Sequence, residues 1–402
     1  MNIMKSSLYK LLRNIVLLGG GIMLTGGILF VPSAGYHMDT AAARIRGWIS
    51  PAGDLPGVKA SEKLNKESLW LPDLLSVTDE SVSQISSVVE KGSSPLPAAT
   101  RLPTPRFDSK KDYQDWNNCG PATLALMLRH WGWQGDQYDI SQVIKPKDSD
   151  KNVNAEELAR YVEQEVKDLQ AVIRIGGDLT RLKQLLAAGF PVIVEKSFLM
   201  EKPVWMGDDQ WAGHYLLLTG YDDREEVYFV QDSFYGPDQS IPYHDLEQDW
   251  RAFNRLYLVV YPQERLEEVK SAFGSDWVQS ENLANTLSDL REELRVNDGD
   301  PFLWFDLGTT HVLKGEFSEA VDAFTRARQL GLPQRMLRYQ FGPFAAAYET
   351  GDQSDLRVLV NYALKITPDS EEALYWKGKA HTMTTKKTNQ ETLSNKGPLQ
   401  IP

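Results

Sequence analysis

The alternation of apolar and polar positions changes character four times along the chain. Residues 15–31 form one apolar run of seventeen, with no charge and only Thr25 polar, behind a flank carrying Lys5, Lys10 and Arg13. At about 1.5 Å rise per residue this run sits at the short end of what spans a bilayer. It predicts a transmembrane segment within 1–34, its basic flank cytoplasmic and the rest of the chain outside. Small residues at Ser33-Ala34-Gly35 leave a cleaved signal peptide as the alternative, which also puts the later segments outside the cytoplasm. A lipid-anchored terminus is excluded, because no cysteine lies there.

Residues 35–111 show little periodicity and many breakers, among them Ser93-Ser94-Pro95-Leu96-Pro97 and Leu102-Pro103-Thr104-Pro105. They predict an extended spacer with a short amphipathic helix near 79–91. Over 112–262 the pattern turns to helices at 122–131, 154–165 and 179–188, then strands at 191–198, 214–221, 227–232 and 255–260. Helices first and an antiparallel sheet after is the order of an α+β fold. Residues 263–383 read as all-helical, with a packing helix at 280–296. Residues 384–402 are polar and predict a disordered tail.

The helical stretch has a period. Over 301–334, Trp304, Leu307, Gly308, Ala320, Phe324 and Ala327 fall at offsets 4, 7, 8, 20, 24 and 27 of a thirty-four-residue unit. That arrangement resembles a tetratricopeptide repeat, in which large residues fill a helix pair and small ones let it close. Gly308 recurs as Gly342 and Gly378, with the second copy degraded near Gly351 and the third ending near His381. The resemblance implies a concave surface for a protein partner, or a brace for the preceding domain.

Composition narrows the function. A formal net charge of −12 over 402 residues argues against nucleic acid, and confines membrane contact to the N-terminal segment. The single cysteine excludes an internal disulfide and a multi-cysteine zinc site, and nothing in the sequence calls for a metal or cofactor.

That cysteine, Cys119, opens a predicted helix through Cys119-Gly120-Pro121. A helix N-terminus stabilises a thiolate through its dipole and free N–H groups. His214 begins the strand of 214–221. A hairpin folded about 223–224 carries Asp232 back opposite or diagonal to it, where a carboxylate can orient the imidazole. Asp222 and Asp223 lie at the far turn, roughly 25 Å along the strand. His130, three helical turns past Cys119, cannot be its base, and His244 beside Asp245 has no nucleophile partner. Between the strands, Trp205 and Trp211 flank a loop that suits a peptide substrate as well as it suits simple packing.

The order Gln114…Cys119-Gly120-Pro121-Ala122…Gly213-His214…Asp232 resembles the bacteriocin-processing peptidase-like domains, cysteine-peptidase family thirty-nine of the papain clan, over about 112–262. The resemblance implies a papain-like cysteine peptidase with Cys119 as nucleophile, His214 as base, Asp232 as orienting group and Gln114 as oxyanion donor. Gln114 stands five residues before Cys119, where the papain pattern has six. Three functions fit: a peptidase acting on exported peptides or proteins, an amidase or transpeptidase with the same triad, and a silent scaffold that binds partners through its repeats.

Overall fold

The computed structural model describes residues 95–145 and 152–394. The predicted transmembrane segment, most of the spacer with its short helix, and the last eight residues of the tail lie outside them. No helix among the described residues is long and apolar enough to cross a membrane.

Seven strands form one sheet: β1 (Ala99–Arg101), β2 (Leu169–Arg174), β3 (Val192–Leu199), β4 (Trp211–Asp222), β5 (Val227–Asp232), β6 (Gly236–Pro242) and β7 (Tyr257–Pro262). The order is β2-β7-β3-β4-β5-β6, all neighbours antiparallel, with β1 also on β4. Both faces are covered. Helices α1 (Cys119–His130), α2 (Gln137–Ile144) and α3 (Ala155–Glu165) pack on one, and α4 (Leu179–Ala187), α5 (Tyr243–Trp250) and α6 (Leu266–Phe273) on the other. Period-two alternation therefore buries both faces of Val192–Glu195 on β3 and of His214–Tyr221 on β4, while β3 opens toward solvent from Lys196 to Leu199. On β3, Ile193 faces the first helix layer while Val192 and Val194 face the second; on β4, Tyr215 and Leu217 oppose Leu216 and Leu218.

Three expectations change. The spacer does not run to residue 111, because Ala99–Arg101 pairs with Asp222–Gly220 and occupies the edge of β4 beyond the end of β3. The helices do not all precede the sheet: β2 separates α3 from α4, and β6 follows β5. Neither alternates clearly, β2 reading Leu-Gln-Ala-Val-Ile-Arg and β6 carrying Ile241 as its one large apolar residue, which hid them. The tail is helical as far as Ser394, since residues 384–394 contain neither glycine nor proline to stop the helix.

The C-terminal region is helical throughout: α7 (Gln279–Val296), α8 (Pro301–Leu313), α9 (Phe317–Leu330), the single turn α10 (Met336–Tyr339), α11 (Gly342–Glu349), α12 (Gln353–Ile366) and α13 (Glu371–Ser394). A Cβ at Gly308 or at Gly342 would lie 2.7 Å from the Phe324 ring, so both glycines admit the same aromatic side chain. Gly378 faces open space and has no such role. The helices share a core with the sheet domain, in which Trp211, Ala252 and Phe253 join Phe305, Phe324, Met336 and Leu337.

Candidate active site

Cys119 is the first residue of α1, with Gly120 and Pro121 following into the first turn. No side chain caps this helix end and its first turn holds no acid, so the positive end of the dipole is left to the thiol. The turn before it is shaped from within the domain. Asn117 adopts a left-handed backbone at φ 52°, and the buried Gln137 at the start of α2 ties the turn together. Its Oε1 accepts from Asp115 N–H at 2.9 Å and from Asn118 Nδ2 at 2.6 Å, while its Nε2 donates to the carbonyls of Lys111 at 2.7 Å and Tyr113 at 2.8 Å.

His214 comes from β4, two residues before Leu216. Its Nε2 lies 3.0 Å from Asp232 Oδ1, and both side chains are buried. The register that brings them together is not the one a simple hairpin gives. The turn pairs Asp222 with Val227, and that register continued would set Asp232 across from Leu217, on the wrong face. A bulge at Thr219 shifts the pairing by one, so that Leu218 meets Val230 and Leu217 meets Gln231. Asp232 then shares His214's face, on the diagonal. Asp232 Oδ1 also accepts from the N–H groups of Phe234 at 2.7 Å and Tyr235 at 3.2 Å. Asp222 and Asp223 stay at the far turn, Asp223 paired with Lys183.

With Nε2 on Asp232, Nδ1 is the ring nitrogen left for Cys119, whose thiol hydrogen-bonds to the imidazole. Burial alone would raise the Cys119 thiol, but the His214 hydrogen bond and charge, helped by backbone contacts to Tyr215 and Gly120, bring it below the ordinary value. Burial alone would lower His214, but Asp232 and Cys119 together push it up to about 9. Burial disfavours the Asp232 carboxylate, yet His214 and the two N–H groups hold it below the usual range. All three shifts run toward the charged forms: a lowered thiol, a raised imidazole and a lowered carboxyl joined by hydrogen bonds. Phe198 and Phe234 shield it, their ring centroids 5.5 and 6.5 Å from His214.

Gln114 is fastened to the residue after Asp232: its N–H donates to Ser233 O at 2.8 Å, and its Oε1 accepts from Ser233 Oγ at 3.0 Å. Trp205 and Trp211 do not line an open cleft. Trp211 is buried, stacked on Phe253 at 5.6 Å with its edge to Tyr339. Trp205 lies under the Arg335 guanidinium at 4.1 Å and donates from Nε1 to Gln334 Oε1. Of the two readings, the contacts favour packing, with partners for each from the helical region. His130 bonds to Pro103 O, and His244 is exposed beside Asp245.

Sequence reasoning passed over Gln137, Ser233 and Glu195. The first had a visible signal, since Asp136 and Asp139 form a capping box at the start of α2. Glu195 lines a cavity of about 120 Å³ shared with Tyr339 and Phe341 of the helical region. Burial, then the nearby Cys119 and Glu156 charges, push its carboxyl well up against the opposing Tyr215 hydrogen bond.

Among curated proteins, none matches the chain. Among solved structures it is similar to a putative C39-like peptidase from Bacillus anthracis, at 18% identity over 37% of this chain and 90% of that one, TM-score 0.29. It is similar to the peptidase domain of Streptococcus ComA, a bifunctional ABC transporter, at 16% identity over 41% and 98%, TM-score 0.29. Xylellain, a cysteine protease from Xylella fastidiosa, matches at 16% identity over 42% and 87%, TM-score 0.30. Residues 103–258 match the model of the Peptidase_C39 like family, and the protein is a cysteine-type peptidase.

Proposed function

We propose that the protein hydrolyses peptide bonds through Cys119, His214 and Asp232, tethered outside the cytoplasm by its N-terminal apolar segment. The observation that carries the catalytic part is the 3.0 Å contact from His214 Nε2 to Asp232 Oδ1, with Cys119 at the other edge of the ring. His214 Nδ1 takes the thiol proton and the thiolate adds to the scissile carbonyl carbon. The oxyanion is held by the Cys119 N–H and Gln114 Nε2, each donor contributing about 3 kcal/mol. Collapse breaks the C–N bond as His214 returns the proton to the leaving amine. Water then adds to the thioester, giving its proton to His214, and the acid and the thiol are released.

The test is iodoacetamide alkylation of Cys119 from pH 4 to 10 in the wild type, His214→Ala and Asp232→Asn. A lowered thiol predicts fast alkylation well below the ordinary thiol range, lost in His214→Ala. Peptidase activity should fall as pH passes about 9, where His214 loses the proton the leaving amine needs. One titration at the ordinary thiol value, unmoved by either substitution, would instead favour the silent scaffold. An added amine that captures the acyl group would favour a transpeptidase. Tethering rests on the 15–31 run behind its basic flank, and is checked by whether the chain stays with membranes after a high-salt wash. The spacing of Gly308 and Gly342 supports a tetratricopeptide-like module as a second site for a protein partner.

A further inference from the structure

A carboxamide has two ends of nearly equal shape and opposite polarity. If Gln114 is to stabilise an oxyanion it must present Nε2; turned over, it would set Oε1 against the developing charge and repel it. Something has to choose.

Ser233 is fully buried, and its hydroxyl makes one hydrogen bond among the described residues, to Gln114 Oε1 at 3.0 Å. A buried hydroxyl proton without an acceptor costs more than the bond it would otherwise make. Had the hydroxyl accepted from Nε2 instead, that proton would have no acceptor there. Donation to Oε1 is the arrangement that satisfies both groups. It leaves both Nε2 protons of the half-exposed Gln114 unused by the described residues. Ser233 also accepts the Gln114 N–H through its own carbonyl at 2.8 Å, so the glutamine is gripped by main chain and side chain from one residue. The preceding residue, Asp232, orients His214. Two consecutive positions would then set the two halves of the reaction, proton transfer and charge stabilisation.

We propose that Ser233 is a positioning residue for the oxyanion donor, fixing by its hydroxyl which end of the Gln114 amide faces the carbonyl that Cys119 attacks. This rests on the catalytic reading above, with Gln114 as donor.

Two reactions of the same thiol in the full chain separate positioning from general damage. Alkylation by iodoacetamide is displacement at a saturated carbon and forms no oxyanion. Acylation by p-nitrophenyl acetate passes through one. Gln114→Ala should slow acylation by about 100-fold, as removal of one such donor does. Ser233→Ala should slow it by about 10-fold, with alkylation at every pH within about twofold of wild type. The double variant should be no slower than Gln114→Ala, and Ser233→Thr, which keeps a hydroxyl, should recover most of the acylation. Wild-type acylation in Ser233→Ala would overturn the proposal. So would losses that multiply in the double variant, or alkylation that falls in step with acylation. A wild-type thiol of ordinary reactivity is a different failure: it removes the catalytic reading itself, and the alkylation arm alone reveals it.

Discussion

Two loops lead into the site, and they are held from different places. The 111–118 turn before Cys119 is held mainly from its own domain: the Gln137 carboxamide uses both ends of its amide on four partners, and Lys145 Nζ donates to the carbonyls of Trp116 at 3.2 Å and Asn117 at 3.1 Å. The helical region adds one longer bond, from Arg338 to Asn117 Oδ1 at 3.4 Å. The 200–210 loop before His214 is held by the helical region. Arg335 pairs with Asp208 at 2.5 Å, donates to Trp211 O at 3.0 Å and covers the Trp205 ring. Gln334 donates from its N–H to Asp209 at 2.6 Å and from Nε2 to Gly207 O at 2.8 Å. The Cys119 side rests mainly on its own domain, while the His214 side depends on residues more than a hundred positions later. The helical region is therefore structural support for the loop that leads to His214.

The comparison breaks most sharply at Arg335. Both charges of its pair are buried, and removing one partner of a buried pair costs roughly 3 kcal/mol. Arg335→Ala should lower the melting temperature and open residues 200–210 to limited proteolysis, yet leave Cys119 alkylation close to wild type. Burial opposes the Asp208 carboxylate, but Arg335 and the N–H groups of Val204 and Gln210 hold it below the usual range. A depressed carboxyl gives stability that is present above the unfolded value, about 3.9, and lost as pH falls through the folded one. The gap between wild type and Arg335→Ala should accordingly narrow in acid. A constant gap from pH 3 to 8 would mean that the packing over Trp205, and not the ion pair, holds the loop.

Gln137→Ala should have a smaller effect on melting and a larger one on chemistry. Of its four partners only Asn118 Nδ2 is fully buried, so the variant strands one buried group at about 1–3 kcal/mol while water can reach the other three. The loop it frees is the one that begins the Cys119 helix, so the alkylation profile should move toward that of an ordinary thiol. Proteolysis at 200–210 should stay at the wild-type rate. If instead both variants change both readouts alike, the two loops are one unit and the distinction fails.

The positions that sequence reasoning reached are those whose partners are near in the chain or carry their own local signal. Cys119 stands before an apolar helix, and His214 and Asp232 sit on two strands of one hairpin, so period and turn alone bring them close. A turn about 223–224 is nevertheless too early, and the face shared by the pair depends on the bulge at Thr219, which no alternation announces. Ser233 reads as an unremarkable residue after a strand, because its meaning lies in Gln114, 119 positions away. Trp205 and Trp211 were open to two readings, since nothing local distinguishes an aromatic over a cleft from one awaiting Arg335 or Phe253. Residues 99–101 looked like spacer because three residues are too few to show a period, and the edge of β4 that they fill is visible only in the fold.

The smallest expected effect lies in the same seam as Arg335 and has the opposite sign. Asp306 on α8 is fully buried, and neither of its carboxylate oxygens has a partner among the described residues. Arg251 and Arg255 are near but are engaged with Asp300, Glu247 and Glu293. Burial pushes the Asp306 carboxyl well above the usual range; the two arginines oppose this, and Glu293 and Asp300 add to it. A raised carboxyl is fully compatible with folding below the unfolded value of about 3.9, and stability is lost as pH rises toward the folded one. Asp306→Asn removes that loss. Its melting temperature should match wild type near pH 4 and exceed it by a few degrees at pH 8, at roughly 2–4 °C for each kcal/mol recovered. A variant that melts lower at every pH would show that Asp306 is paired in solution. The seam would then be charge-balanced throughout, and Arg335–Asp208 would no longer stand apart as its one complete buried pair.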